Sequence, residues 1–593
     1  MATALPPRLI SMPTKSYWHT RNLFNSGSGV SQTLPFARET LRQHTSDVCI
    51  IGAGIAGCSL AHHLMRLDPD VSVTLIDGRH IAGGATGRNG GLLWPCLNAS
   101  LDHVIKTKGK EKAVEILCFD DQSAEQTFDL FELNPAMKEL AEYSPFLDGG
   151  FQLFEGVEEA TADIADLALM QSLGFGRDLE LWSKEKTNHH FNSSGFLGGI
   201  RHPQVGRVWA ARLALGLALA AAASAGNRHP AGAGRLTMIE ATEVVCVQEL
   251  GGGCDEESLR DYGGQGTLIG RDSNYFGEGG EVAERAKRRE SIILAGKGFS
   301  ETLCNSGIAE ATTAMFKRGA TKKIAPGTHS SSSSLKEGVK KSSIRKDQRA
   351  GLQLSVKTAR GDAVRCSTIV HCTNAYTALL LPELIGKVVP VRNQVAVTSP
   401  LAPGQSLARD AAIYAREGFV YCSPRSDGRL VLGGFRDVLP HREVGTFDDG
   451  RLDMTVSQSL RRYLPDRFPK IFDSSKGGQA PVFEMEWSGI LGFTEDRFPL
   501  VGALPPVSDT QKQYFVSDSA SHVRTRSVSQ DQSHASTLRN QGLSRRGQYI
   551  CGGFSGHGMT RAYSCAEGLA RDLMGLPPGP APLPSAFSPE GRL

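Results

Sequence analysis

Asp47-Val48-Cys49-Ile50-Ile51-Gly52-Ala53-Gly54-Ile55-Ala56-Gly57 is a short apolar run that ends in three spaced glycines. Residues 58–66 continue with a helical pattern, so the segment reads as strand, glycine turn and helix. Gly52 allows the tight turn, Gly54 lets backbone approach a pyrophosphate, and Gly57 lets the helix pack closely on the strand. The helix start, from Ile55 and Ala56, adds unpaired N–H groups and the positive end of its dipole. Three spaced glycines alone are weak evidence, and a glycine-rich turn without a ligand is the bland alternative. A second apolar run over 71–76 strengthens the case. It ends in Asp77, followed by Gly78 and Arg79, 25 positions after Gly52 (77 minus 52). A carboxylate there can accept hydrogen bonds from a ribose diol, so the segment predicts a dinucleotide site.

A second glycine-rich stretch, Gly83-Gly84-Ala85-Thr86-Gly87-Arg88-Asn89-Gly90-Gly91, follows directly. A nicotinamide enzyme has no need of it. A larger cofactor that runs on through the protein would meet its backbone N–H groups at the phosphates or the isoalloxazine ring. Arg88 can pair with a phosphate or cap the loop at the surface, and the sequence leaves both open.

Four motifs in order then carry a resemblance: residues 47–95 with the GATGRNGG loop, Thr373-Asn374-Ala375-Tyr376 after a strand, Gly492-Phe493-Thr494-Glu495-Asp496 before Pro499, and Gly552-Gly553-Phe554-Ser555-Gly556-His557-Gly558-Met559. The chain resembles the D-amino-acid oxidase superfamily, and within it the branch of glycine oxidase, sarcosine oxidase and γ-glutamylputrescine oxidoreductase. The resemblance covers most of 47–575. It implies an α/β fold in which a Rossmann-like FAD domain of the glutathione-reductase type is interleaved with an α+β substrate-capping domain of mainly antiparallel sheet. It also implies FAD, with Gly52, Gly54 and Gly57 at the pyrophosphate, Asp77 at the adenosine ribose, and the backbone of Val244 at the adenine. Gly87, Arg88, Asn89, Gly90, Gly91 and Leu92 would lie near the flavin, and Thr373, Asn374 and Ala375 belong to the same site. Gly556, His557, Gly558, Met559 and Thr560 would bring a helix start to the flavin's pyrimidine edge. His557 is either a catalytic base or a structural, flavin-contacting histidine.

The implied chemistry is hydride transfer from a carbon bearing an amine, with imine hydrolysis by water and reoxidation by molecular oxygen. A small-molecule amine is the implied partner. Departures from the branch narrow this reading. Gly489 stands where sarcosine oxidases carry a flavin-linking cysteine, which favours non-covalent FAD. Leu491 stands where glycine oxidase has a carboxylate-binding arginine, and Thr560 replaces a sarcosine oxidase lysine, so a simple α-amino acid substrate is in doubt. Val431 replaces an oxygen-activating lysine, which leaves a slower oxidase or a dehydrogenase open. An NAD(P)-dependent dehydrogenase and a flavin-binding protein with a non-catalytic role are the competing readings.

At 593 residues the chain is too long for one simple core. The 40% hydrophobic and 21% charged content fit a globular enzyme, and a net charge of +3 does not indicate a nucleic-acid binder. The most apolar stretch, 213–225, is too short to span a bilayer and reads as a buried helix. The twelve cysteines include no CxxC pair, so reduced thiols are expected rather than a metal site. The first 38 residues hold Arg8, Lys15, Arg21 and Arg38 but no acid. This weakly resembles a mitochondrial transit peptide, a disordered lead-in is the other reading, and cytoplasm is the default location.

The expected map has an extension over 1–46, an FAD domain over 47–100, 204–250, 351–386 and 481–575, a substrate domain over 101–203 and 387–480, and a tail over 576–593. Strands are expected at 237–247, 352–357, 363–371, 388–398, 418–423 and 429–434. Residues 251–350 and 508–547 are rich in Gly, Ser, Gln, Lys and Arg, and read as disordered insertions dispensable for the core reaction.

Overall fold

The computed structural model describes residues 9, 12–20, 44–95, 99–226, 235–250, 353–402, 405, 407, 410–473, 475, 478–507 and 545–593. The expected insertion over 251–350, and 508–544 of the second, lie outside the described residues.

Five parallel strands form the spine of the first layer, in the spatial order Leu236–Ile239, Val73–Ile76, His44–Ile51, Ala363–His371 and Gln548–Gly552. Their apolar runs are buried on both faces, as in a sheet covered on each side. Helices Ile55–Leu67, Ala210–Gly226 and Gly558–Met574 pack over one face. The stretch read as a buried helix over 213–225 lies within the second of these. Register brings Ile51 opposite both Ile76 and His371, with Ile239 and Ile550 in the same row. The chain therefore leaves neighbouring strands at Gly52, Asp77 and Cys372 along one carboxyl edge, where open α/β sheets place their ligand crevice.

Val244–Leu250 and Gln353–Thr358 add an antiparallel ribbon to this sheet, with Leu250 opposite Gln353. The single strand expected over 237–247 is instead two, Leu236–Ile239 and Val244–Leu250, separated by a turn in which Ala241 takes φ 49°.

The capping layer is an eight-stranded sheet, ordered Phe483–Thr494, Val388–Thr398, Leu430–Gly434, Val420–Pro424, Ala412–Ala415, Gly150–Leu153, Gly199–His202 and Glu180–Trp182. All neighbours are antiparallel except Ala412–Ala415 with Gly150–Leu153. Helix Met454–Arg467 packs on it around Phe151, Leu432, Phe435, Leu460 and Phe468.

Several boundaries fall elsewhere than the sequence indicates. Phe483–Thr494, grouped with the FAD domain, is a strand of the capping sheet. Helix Lys110–Glu132, grouped with the substrate domain, packs on Gly558–Met574, where Arg561 makes two 2.7 Å hydrogen bonds to buried Asp120. At the end of the second expected insertion, Arg545 pairs with Glu383 at 2.6 and 2.8 Å. In the expected tail, Phe587 is buried against Phe119 and Phe498. In the expected extension, Ser16, Tyr17 and Trp18 are buried in the core. Such tertiary partners are distant in sequence and leave no local periodic signal. Among the described residues no helix is long and apolar enough to cross a membrane.

Candidate active site

The glycine turn is built as the spacing requires. Gly52 has φ 107°, and a Cβ there would lie 2.6 Å from the carbonyl oxygen of Cys372. A Cβ on Gly57 would lie 1.9 Å from the Gly52 carbonyl oxygen, so that glycine sets helix against strand. Gly54 differs. Its backbone is ordinary extended chain (φ −77°, ψ −171°), and a Cβ would approach only Thr86 Oγ1, at 3.1 Å. Gly54 faces a cavity that also meets Gly52, Ile55, Ala56, Asp77, Gly78, Arg79, Val244, Thr373, Asn374 and Ala375. All are among the positions expected to bind the cofactor, and the cavity follows the carboxyl edge of the sheet past the start of helix Ile55–Leu67. The cradle a Gly54 side chain would fill is the space a pyrophosphate needs.

Asp77 holds the turn from below: Oδ2 accepts from Ala53 N and Oδ1 from Arg79 N, both at 2.7 Å. Burial raises its pKa, and these two backbone donors work against that rise. A carboxylate has about four acceptor sites, so a ribose diol can still be accommodated.

Arg79 makes a two-pronged pair with buried Asp449, at 2.7 and 3.0 Å. Arg88 also turns inward. Its Nε donates to Gly83 O at 3.1 Å, its Nη1 to Ser488 O at 2.7 Å and Thr14 Oγ1 at 3.2 Å, and Asp449 lies 3.7 Å from Nε. Arg88 is thus an internal tie between the 83–91 loop, the capping strand and the N-terminal segment. That is a third arrangement beside the two the sequence left open.

The loop is also gripped by its carbonyls. Gly87 O accepts from Ser16 Oγ at 2.6 Å, Arg88 O from Trp487 Nε1 at 3.1 Å, and Asn89 O from Trp18 Nε1 at 2.7 Å. Gly91 packs against Trp18, since a Cβ there would lie 2.6 Å from the indole. Gly87 and Gly91 line no part of either cavity described here; they let the loop sit close to the N-terminal segment.

A second chamber lies beyond the loop. Arg88, Asn89, Gly90, Leu92, His557, Met559 and Thr560 line it on the nucleotide side; Asn393, Phe419, Tyr421, Arg436 and Phe493 line it on the capping side. Ala85, Asn89, Leu491, Gly556 and Met559 border both spaces, which therefore meet at the loop and the start of helix Gly558–Met574. Gly558 borders the first cavity alone. Burial, then the charges of Arg561, Arg497 and Arg436, hold the pKa of His557 down to about 3, and Nδ1 lies 3.3 Å from Ser555 O. At neutral pH the ring is uncharged and too weak a base to take an ammonium proton. Val431 is buried and borders neither space.

Sequence reading missed Thr14, Ser16, Trp18, Asp449 and Trp487 around the loop, and Arg436 in the chamber. The adjacent aromatics Tyr17-Trp18 are the one available signal.

The family model described as FAD dependent oxidoreductase matches residues 47–252 and 333–571. Among curated proteins, a probable oxidoreductase OrdL of Haemophilus influenzae is 28% identical over 193 residues, covering 32% of this chain and 42% of that protein. The γ-glutamylputrescine oxidoreductase of Escherichia coli is 34% identical over 96 residues, covering 16% of this chain and 21% of that protein. The chain spans less than half the length of the curated relatives it matches. Glycine oxidase from Geobacillus kaustophilus superposes with a TM-score of 0.54 at 16% identity, over 93% of this chain and 100% of that one. L-proline dehydrogenase from P. horikoshii gives 0.52 at 15% identity, over 92% and 97%. At these identities the two structures share the fold. With three quarters of the length matched by the family model (445 of 593 residues, from 206 plus 239) and a glycine cradle that fits the cofactor, the chain belongs to the FAD dependent oxidoreductase family.

Proposed function

We propose that this protein oxidises a small-molecule amine at the carbon bearing nitrogen and passes the electrons to dioxygen. The observation that carries the reading is the junction of the two cavities. Val244, Asp77 and Gly54 would hold a cofactor along the sheet edge, and the space they line meets the capped chamber at Ala85, Asn89, Leu491, Gly556 and Met559. FAD, when bound, supplies the hydride acceptor. The chain's residues hold the amine at the junction and shield it from bulk water beneath the capping sheet.

The amine enters as the free base, its proton lost to solvent, because neutral His557 cannot remove it. Hydride leaves carbon, a C=N bond forms, and water converts the imine to a carbonyl compound and an amine or ammonia. Reoxidation by dioxygen gives hydrogen peroxide. The relative named γ-glutamylputrescine oxidoreductase supports the amine class.

Anaerobic mixing with primary amines, N-methylamines and N-methyl amino acids should bleach the flavin's visible absorbance for at least one of them, and air should restore colour with formation of peroxide. If no amine bleaches the flavin, the proposal fails and a non-catalytic flavin-binding role takes its place.

The cofactor is held without a covalent bond on this reading. Gly489 lies opposite Asn393, and a Cβ there would stand 2.7 Å from Cβ of Arg88, so Arg88 fills the space a linking side chain would need. Acid precipitation should release the flavin into the supernatant; flavin retained in the washed pellet would overturn this assignment.

A further inference from the structure

The cofactor cavity has two ends. One is its junction with the substrate chamber, at Ala85, Asn89, Leu491, Gly556 and Met559. The other is bordered by Gly78, Glu243 and Val244, past the turn that Asp77 holds. A dinucleotide with its diphosphate at the start of helix Ile55–Leu67 and its flavin toward the junction has its adenosine at this second end. The wall there is apolar. Ile51, Val244 and Leu380 line the cavity and pack in one cluster.

Leu9 borders the same cavity, and the glycine motifs do not account for it. Its side chain is seated on Gly78: a Cβ on that glycine would lie 2.7 Å from Leu9 Cδ2, and 3.6 Å from Cα of Glu243. Gly78 takes no left-handed φ, so no turn conformation calls for glycine there. What its missing side chain provides is room for Leu9. The seat leaves Leu9 half-buried. An apolar side chain on the rim of a cavity gains burial when an aromatic base slides in beside it. The same N-terminal segment holds the 83–91 loop through Thr14, Ser16 and Trp18. The chain ahead of the first strand therefore reaches both halves of the cofactor's bed.

We propose that Leu9 is a cofactor-binding residue whose side chain covers the adenine ring of FAD, at the end of the cavity away from the substrate chamber. Gly78 follows Asp77, which is placed for the ribose, and lies beside Glu243. A side chain seated there meets the base and not the diphosphate at Gly54. The assignment rests on the cofactor and is independent of the amine reading.

Truncation to alanine removes three carbons, each worth about a fourfold factor in affinity when fully buried and less at partial cover. FAD release from the full-length holoprotein can be followed as the rise of free flavin fluorescence after dilution. It should be about 5- to 20-fold faster in Leu9→Ala than in wild type, because changes in affinity fall mostly on the dissociation rate. Leu9→Met keeps the volume and should release FAD within a few fold of wild type. Two fragments of the cofactor separate a contact with adenine from a general loosening of the N-terminal segment. In flavin-stripped full-length protein, Leu9→Ala should weaken ADP by the same factor as FAD and leave FMN, which lacks the adenosine, unchanged. Unchanged FAD release, or equal binding of ADP to wild type and Leu9→Ala, overturns the assignment. A loss for FMN as large as that for ADP overturns it too, since Leu9 would then act only by steadying the 83–91 loop.

Discussion

Gly54→Val should purify as a folded but colourless protein. The three glycines of the turn do different physical work, and only this one makes a clean test of the cofactor site. A side chain at Gly52 or Gly57 collides with backbone, at 2.6 Å from Cys372 O and 1.9 Å from Gly52 O, and Gly52 also sits at φ 107°. Substitution at either disturbs the join of strand and helix itself. Gly54 adopts φ and ψ open to any residue, and its Cβ would meet only the Thr86 hydroxyl, at 3.1 Å. As the N-cap of Ile55–Leu67 it makes no side-chain bond to lose, so the helix pays about 1 kcal/mol or less. The branched methyls instead enter the cavity lined by Asp77, Thr373 and Gly556. Overpacking of this sort costs about 1–3 kcal/mol or more, which weakens FAD by about 5- to 150-fold or beyond. Bound FAD stabilises the fold by mass action, so the melting temperature of wild type should rise with added FAD while that of the variant stays flat. Gly54→Ala should give an intermediate loss. A folded Gly54→Val with full flavin content would show that the cofactor lies elsewhere.

The same contrast explains what the sequence discloses and what it withholds. Ala363–His371 in the first sheet and Val388–Thr398 in the capping sheet are legible because they start and stop where the apolar pattern does. The turn is legible because its glycines and Asp77 meet through contacts dictated locally by a βαβ unit. Arg88 is not. Its partners are Gly83, Thr14 and Ser488, the last 400 positions away, and nothing in a glycine-rich loop reveals whether an arginine turns outward or inward. Asp449 sits in Asp448-Asp449-Gly450, which reads as a solvated turn, yet it is the buried counter-charge of Arg79. Arg436 follows Gly433-Gly434 and reads as a loop cation, because the rings it stacks on, Phe419 and Phe493, come from two other strands or turns. Motifs therefore locate the candidate cofactor cavity, whereas the second chamber and the supports of the 83–91 loop depend on tertiary placement.

The least legible support leads to the second large effect: loss of Trp18 should cost the protein its FAD. Thr14, Ser16 and Trp18 hold the 83–91 loop. Ser16 Oγ and Trp18 Nε1 satisfy the carbonyls of Gly87 and Asn89, Thr14 receives Arg88 Nη1 and Ser488 N, and Trp487 holds the carbonyl of Arg88. Three consecutive carbonyls held on one side fix the orientation of the peptide units between them, and so the N–H groups available on the other side. Trp18 is itself locked, fully buried, with its carbonyl accepting from Trp209 Nε1 at 3.0 Å and Arg425 over its ring at 5.1 Å. Trp18→Ala opens a large cavity in this cluster and should cost about 3–5 kcal/mol. A loss of FAD in that variant alone could reflect unfolding, so Trp18→Phe and Ser16→Ala carry the test. Each keeps most of the packing and leaves a buried carbonyl unsatisfied at about 1–3 kcal/mol; Ser16→Ala also removes the acceptor of Trp18 N. If the clamp positions the loop, both variants should stay folded, bind FAD about tenfold more weakly, and recover their spectrum as FAD is added in excess. Lower melting temperatures with an unchanged FAD dissociation constant would mean that the N-terminal segment only adds bulk to the core, and that the loop holds its shape unaided.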